Sequence, residues 1–125
     1  MASTLRSVQL RVTTNASGVG SVTLPDAILG LLYMVKWKDG DFDDGVDAVL
    51  SVAAHGDAPA RTLLTLTNAN DDAEYLTRVQ GSGNTGSVIA GVYDYPIIDG
   101  RLTLTIAQGG NVKTGGVDVY IIENA

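Results

Sequence analysis

The chain has no cysteine, which removes disulfides, thiolate metal sites and thiol nucleophiles together. Its stability has to come from packing or from assembly. Histidine occurs once, at His55, so a His-dependent zinc site or a Ser-His-Asp triad would have to be built around that one residue. Lys and Arg number eight against 14 Asp and Glu, giving a net charge of −6, and the basic residues form no cluster. Phosphate contacts need concentrated positive charge, so direct binding to nucleic acid is not expected. The longest apolar stretch, Ala27 to Val35, is broken by Gly30 and is too short to span a bilayer. Met1-Ala2-Ser3-Thr4-Leu5-Arg6 shows no basic segment leading into an apolar one. The expectation is a soluble chain made in a cytoplasm, with no membrane partner.

What is present is glycine, 15 residues of it, placed mostly between apolar runs. That distribution argues for many short turns rather than for disorder. A length of 125 residues suits one domain, spanning 1–125, with enough chain to bury a real core.

The apolar residues recur with a period of two. Leu102, Leu104 and Ile106 alternate with Thr103 and Thr105, and Val117, Val119 and Ile121 repeat the pattern after a Gly-Gly-Asn turn at 109–111. Val8, Leu10 and Val12 read as a first strand and Val19 to Leu24 as a second, joined at Asn15-Ala16-Ser17-Gly18 into an N-terminal hairpin. Ile28 to Lys38 is a longer strand. Its first half is apolar on both faces, and its phase is set by Tyr33, Val35 and Trp37 against Lys36 and Lys38. The segments 46–52 and 61–67 follow as strands, 75–80 reads as a strand or a short helical turn, and 88–95 is extended. Gly81-Ser82-Gly83-Asn84-Thr85-Gly86-Ser87 reads as a flexible, linker-like loop. The fold class is therefore all-β: a single-domain antiparallel β-sandwich or barrel-like, jelly-roll-like domain.

Four local patterns bear on chemistry. Asp39, Asp41 and Asp43 stand at alternate positions of an acidic loop that also holds Asp44 and Asp47. Alternating carboxylates could converge on calcium. The match to an EF-hand loop fails at its sixth position, Asp44, and its twelfth, Leu50. The plainer reading is a solvated hairpin loop that keeps a sheet edge soluble. His55 lies in a small-residue loop, with no Gly-x-Ser-x-Gly motif in the chain, and reads as a surface residue. Gly109-Gly110 and Gly115-Gly116 lack the Gly-Lys-Ser/Thr step of a phosphate loop and read as turn and bulge glycines. Tyr33, Trp37, Tyr93 and Tyr95 could line a glycan surface, but on strands such residues are more often core or subunit contacts. No catalytic residue, resident metal or cofactor is expected, and the chain does not read as an enzyme.

Three segments carry a resemblance: Arg11-Val12-Thr13-Thr14-Asn15-Ala16-Ser17-Gly18, Asp43-Asp44-Gly45-Val46-Asp47, and Ile106-Ala107-Gln108-Gly109-Gly110-Asn111-Val112-Lys113-Thr114-Gly115. They resemble small structural proteins of tailed bacteriophages, most closely at the Ala-Gln-Gly-Gly-Asn-x-Lys-Thr-Gly turn. The resemblance implies a virion component made in the host cytoplasm. Its first version is a capsid decoration (cement) protein, bound to the major capsid protein on the outer head shell as a homo-oligomer, a trimer. A head–tail joining or tail protein is the alternative. A carbohydrate-binding sandwich from a receptor-binding fibre and a small hydrolase are the rivals from other classes. The two-sided apolar strand Ile28 to Val35 favours a symmetric oligomer. The contact surface is expected in strand edges and turns, with the 81–87 loop and the N-terminal residues 1–5 as candidates.

Overall fold

Period-two patterning decides the architecture. The computed structural model describes residues 3–124, and among these it shows strands and no helix. In chain order the strands are β1 (Ser3–Thr13), β2 (Gly20–Thr23), β3 (Ile28–Lys38), β4 (Asp47–Val52), β5 (Arg61–Leu66), β6 (Ala73–Tyr75), β7 (Val79–Ser82), β8 (Val88–Asp94), β9 (Ile97–Gly100), β10 (Leu102–Ala107) and β11 (Thr114–Asn124). Two antiparallel sheets carry the core. One runs β1-β11-β3, with β6 and β9 sharing the far edge of β3; the other runs β2-β10-β4-β5. A third, two-stranded sheet, β7-β8, stands apart. The all-β sandwich expected from the sequence is what forms.

The inner faces are the ones the alternation selects. Leu10, Val12, Val117, Val119 and Ile121 face Leu50, Val52, Leu102, Leu104 and Ile106 across the sandwich, all of them buried. Trp37 is fully buried and stacks on Phe42 at 5.7 Å, while its indole Nε1–H donates to the Ala69 carbonyl at 2.9 Å. That bond satisfies the one polar group the indole takes into the core.

The pairing differs from the local reading. Neither the N-terminal segment nor the C-terminal pair closes a hairpin. β1 pairs β11 while β2 pairs β10, so each of these connections crosses from one sheet to the other. The crossings are bonded to each other. Thr14 N–H donates to the Lys113 carbonyl at 2.8 Å and Gly109 N–H to the Gly18 carbonyl at 2.9 Å. The buried Thr14 hydroxyl donates to the Gly110 carbonyl at 2.7 Å and accepts from Lys113 N–H at 2.9 Å. An arch leaves its turn backbone without a ladder partner, and here each arch satisfies the other. The acidic loop after β3 is likewise an arch to β4 rather than a hairpin loop, with Phe42 turned into the core.

Gly115 and Gly116 sit inside β11 rather than in a turn or bulge. A Cβ on Gly116 would lie 1.9 Å from the Leu10 carbonyl oxygen, and one on Gly115 would lie 2.6 Å from the Phe42 ring. The pair exists for close approach.

β3 changes phase midway. Leu32 faces Ile121 and Met34 faces Tyr120, so Tyr33 is an extra residue, a bulge. Ile28 and Leu32 face inward before it; Val35 and Trp37 do so after it. Tyr33 is therefore out of phase with Val35 and Trp37, contrary to the alternation read from sequence. The outer side of the first half of β3 stays open, with Leu29 79 % exposed. The segment 75–80 holds the end of β6 and the start of β7, with no helical turn.

The arch bonds yield a stability prediction. Thr14→Val keeps the shape but leaves the Gly110 carbonyl and Lys113 N–H short of a partner. The expected loss is about 2–3 kcal/mol in urea unfolding. An unchanged midpoint would contradict the role given to this hydroxyl.

Candidate functional site

The residues singled out from sequence do not meet in one place. Asp41, Asp43 and Asp44 are exposed, and Asp39 is half-buried. Asp41 Oδ1 accepts from Thr114 N–H at 2.6 Å, which ties the loop to the start of β11. Asp39 faces a different neighbour: its own N–H donates to Asp72 Oδ1 at 2.8 Å, and among the described residues its Oδ1 has no hydrogen-bond partner. Among the described residues no three of His, Asp and Glu are arranged to hold a metal ion. The Asp41 carboxylate thus bonds the start of β11, while the Asp39 backbone bonds Asp72. Partial burial, and then the charges of Asp72, Asp44, Asp71 and Asp41, raise the Asp39 carboxyl above its usual 3.8.

His55 is exposed in a tight turn closed by bonds between its backbone and that of Ala58, at 3.1 and 2.9 Å. It borders a depression of about 510 Å³ with Thr23 and Asp99. Thr23 bonds Thr103, and Asp99 pairs with Arg61. Gly110 takes a φ of +94° in its turn and faces the Asp43 carboxylate. That carboxylate is an unsuitable neighbour for a bound phosphate.

The feature the sequence reading missed is an arm. The stretch 81–87 is no linker. Gly83 N–H donates to Ser87 C=O at 2.8 Å and Gly86 N–H to Gly83 C=O at 2.9 Å, closing the tip of the β7–β8 hairpin. Gln80 lies opposite Tyr93 and Ser82 opposite Val88, so residues 89–92 bulge out across Gly81. Every residue of β8 is exposed, Val88 at 61 % and Tyr93 at 58 % among them. Val79, Ile89 and Val92 are exposed too. The arm contributes nothing to the core and carries one charged residue, Asp94.

Its root is fixed. Arg78, just before β7, donates to the Tyr33 carbonyl at 3.0 Å, the backbone oxygen of the β3 bulge residue. The Arg78 guanidinium lies 4.2 Å from the Tyr95 ring centre and 5.7 Å from that of Tyr33, and the two rings are 6.0 Å apart. Of the aromatic residues considered for a glycan surface, Trp37 is core, Tyr33 and Tyr95 enclose Arg78, and Tyr93 is on the arm.

Beside the root lies an apolar row. Leu5 pairs with Ile122, Ile122 with Leu31, and Leu31 with Ile97, across β1, β11, β3 and β9. Their inward neighbours Ile121, Leu32 and Ile98 are fully buried, so alternation turns the row outward. Leu5, Tyr33 and Ile122 border a shallow depression of about 300 Å³. At the opposite end of the same outer face, Arg11 pairs with Asp118 and Lys36 with Glu74. One face is therefore apolar at one end and charged at the other.

No known family model matches the chain, and neither curated proteins nor solved structures give a significant match.

Two outcomes follow. Asp39→Asn removes a carboxylate that the fold holds at a cost when ionised. It should raise the melting temperature slightly at pH 7, by about 1–3 °C. The gain should shrink as pH falls through the raised folded value and vanish well below the ordinary 3.8, where the wild-type carboxyl is protonated in both states. A gain that grows with acid would contradict the assignment. Arg78→Ala should loosen the arm while leaving the sandwich intact. Cleavage by a dilute protease should rise several-fold within 79–94, with a loss of global stability of about 1–2 kcal/mol or less. Unaltered cleavage would show that the arm does not depend on this root.

Proposed function

We propose that this chain is a structural subunit of a tailed-bacteriophage virion. In this reading it is a capsid decoration (cement) protein that binds the major capsid protein on the outside of the assembled head, as a homo-oligomer and most simply a trimer. The resemblance of the 11–18, 43–47 and 106–115 segments to phage structural proteins gives the class. The observation that carries the role is the β7–β8 arm. It is an ordered hairpin rich in exposed Val, Ile and Tyr, with no part in the core of its own chain. A segment of that kind suits contact with other subunits.

Charge supports the same orientation. The loops 39–47 and 71–72 hold seven of the 14 acidic residues and no basic one, leaving seven acids against eight bases over the rest of the chain. An acidic end toward solvent and a near-neutral apolar end toward the shell suit a decoration subunit. Stiffening of the head would arise from many equivalent weak contacts held at high effective concentration by the lattice. In this role the protein turns over no substrate.

The test compares virions with and without the protein by cryo-microscopy and by heat-induced DNA release. The expected result is density on the outer head surface and DNA release at lower temperature when the protein is missing. Density confined to the neck or tail would overturn the capsid assignment in favour of a joining or tail role. Head density with unchanged heat resistance would overturn the stabilising role.

A further inference from the structure

The arm and the sandwich enclose a cleft that the proposed role leaves unused. It measures about 360 Å³ and lies between β5, the start of β7 and the 94–97 segment. We propose that this cleft binds a neutral saccharide of one or two sugar rings, with Arg61, Thr62, Gln80 and Asp94 taking its hydroxyl groups. The site goes beyond the decoration reading and does not rest on it.

The walls decide what can enter. β5 ends its sheet, so its outer edge has no strand partner among the described residues. An open edge ordinarily invites an added strand. Here Leu64 pairs with Leu50 and Thr62 with Ser51, which leaves Leu63 as an extra residue, a bulge in β5. A bulge spoils the even ladder that an added strand would need. Of β5, only residues 61–63 line the cleft, a run of about 10 Å at ~3.3 Å per residue. The volume falls near the lower end of the roughly 300–1,000 Å³ of small-ligand sites. Both dimensions suit a compact ligand rather than a polypeptide.

Charge selects against an ionic ligand. Arg61 and Asp94 line the cleft, one of each sign. The charges beside it are again one of each sign: Asp99 pairs with Arg61 at 3.0 Å, and the Arg78 guanidinium lies 4.2 Å from the ring centre of Tyr95, itself a lining residue. The four cancel. An anion would be repelled by Asp94 and a cation by Arg61, whereas an uncharged ligand meets neither penalty.

What remains is a mixed set of donors and acceptors over an apolar surface. Arg61 uses one terminal nitrogen on the Ile97 carbonyl and the Asp99 carboxylate, so its Nε and other terminal nitrogen keep N–H groups to donate. Thr62, Gln80 and Asp94 are exposed and enter no side-chain hydrogen bond or ion pair among the described residues. A carboxylate only accepts, a guanidinium only donates, and a hydroxyl or an amide does both. Adjacent sugar hydroxyls each donate and accept, so they can use all four. Leu63, Val79, Pro96 and Ile97 supply apolar surface for the C–H face of a sugar ring. An apolar lining with a few convergent polar groups is the usual make-up of a small-ligand site.

The test is an NMR titration of the isotope-labelled, full-length chain with glucose, galactose, mannose, N-acetylglucosamine and lactose. At least one of these should give saturable shifts concentrated in 61–63, 79–81 and 94–97. Asp94→Ala and Gln80→Ala replace exposed side chains, so both variants should fold, as circular dichroism would verify. Asp94→Ala should weaken binding at least tenfold, the worth of a charge-assisted hydrogen bond, and Gln80→Ala severalfold. Asp57→Ala, in the 55–58 turn outside the cleft, should bind as the wild type does. No saturable shift with any of the sugars, shifts centred outside the cleft, or unchanged binding by Asp94→Ala would overturn the proposal. Glucosamine or glucuronate binding tenfold tighter than glucose would assign the cleft to a charged ligand and overturn it too. Decorated heads from a chain that binds no sugar would overturn this inference alone. Sugar binding by a chain that leaves no density on heads would overturn the decoration reading alone.

Discussion

The sandwich depends on two chain reversals that each step between sheets and are bonded to one another. Thr14 is the centre of that bonding. Its backbone N–H and its hydroxyl together reach the Lys113 carbonyl, the Lys113 N–H and the Gly110 carbonyl. Without these bonds, the buried or half-buried groups at Thr14, Gly18, Gly109, Gly110 and Lys113 would lack partners, each costing up to about 1–3 kcal/mol. With them, β1 is delivered to β11 along eleven paired positions, and β2 is delivered to β10 in the facing sheet. Gly115 and Gly116 then let the Phe42 ring and the β1 backbone close in on β11. Phe42 stacks on Trp37, and the Trp37 indole bonds the Ala69 carbonyl, so the acidic arch and the 68–72 segment are fixed by the same core.

A second constraint, the Tyr33 bulge, links that core to the surface. A bulge leaves one residue out of the ladder and re-aims its neighbours. Here it keeps Leu32 and Val35 both facing inward although they are three residues apart. It leaves the Tyr33 carbonyl to receive Arg78, which fixes the root of the arm. Leu31, on the near side of the bulge, then completes the outward row with Leu5, Ile122 and Ile97. Core packing, arm placement and the apolar end are thus consequences of one extra residue in β3.

Much of the fold could be read from the chain. Leu102, Leu104 and Ile106, then Val117, Val119 and Ile121, alternate strictly, and each set packs inward as its period requires. Partnership could not be read. The Asn15–Gly18 and Gly109–Asn111 turns have hairpin composition, and the bonds that make them arches come from each other across the sequence. Nor could the bulge. Ile28 to Val35 is apolar at nearly every position, so either phase satisfies the pattern. The acidic loop announced its charge but not the inward turn of Phe42 or the bond from Thr114 N–H to Asp41. The arm was hidden by composition, since Gly81 to Ser87 resembles a linker. Its signal was the apolar run Val88 to Tyr93, followed by charge and proline, which marks a strand with no polar alternation to face solvent.

The proposed role turns the apolar end, with the β7–β8 arm, toward other subunits and leaves the acidic end in solvent. Hydrogen–deuterium exchange on the intact chain across a concentration series tests it directly. Amides in 79–94 and in the segments around Leu5, Leu31, Ile97 and Ile122 should slow together as concentration rises. Exchange in the 39–47 and 71–72 loops should not change. Exchange independent of concentration throughout, or protection gathered in the acidic loops with the arm unaffected, would contradict it.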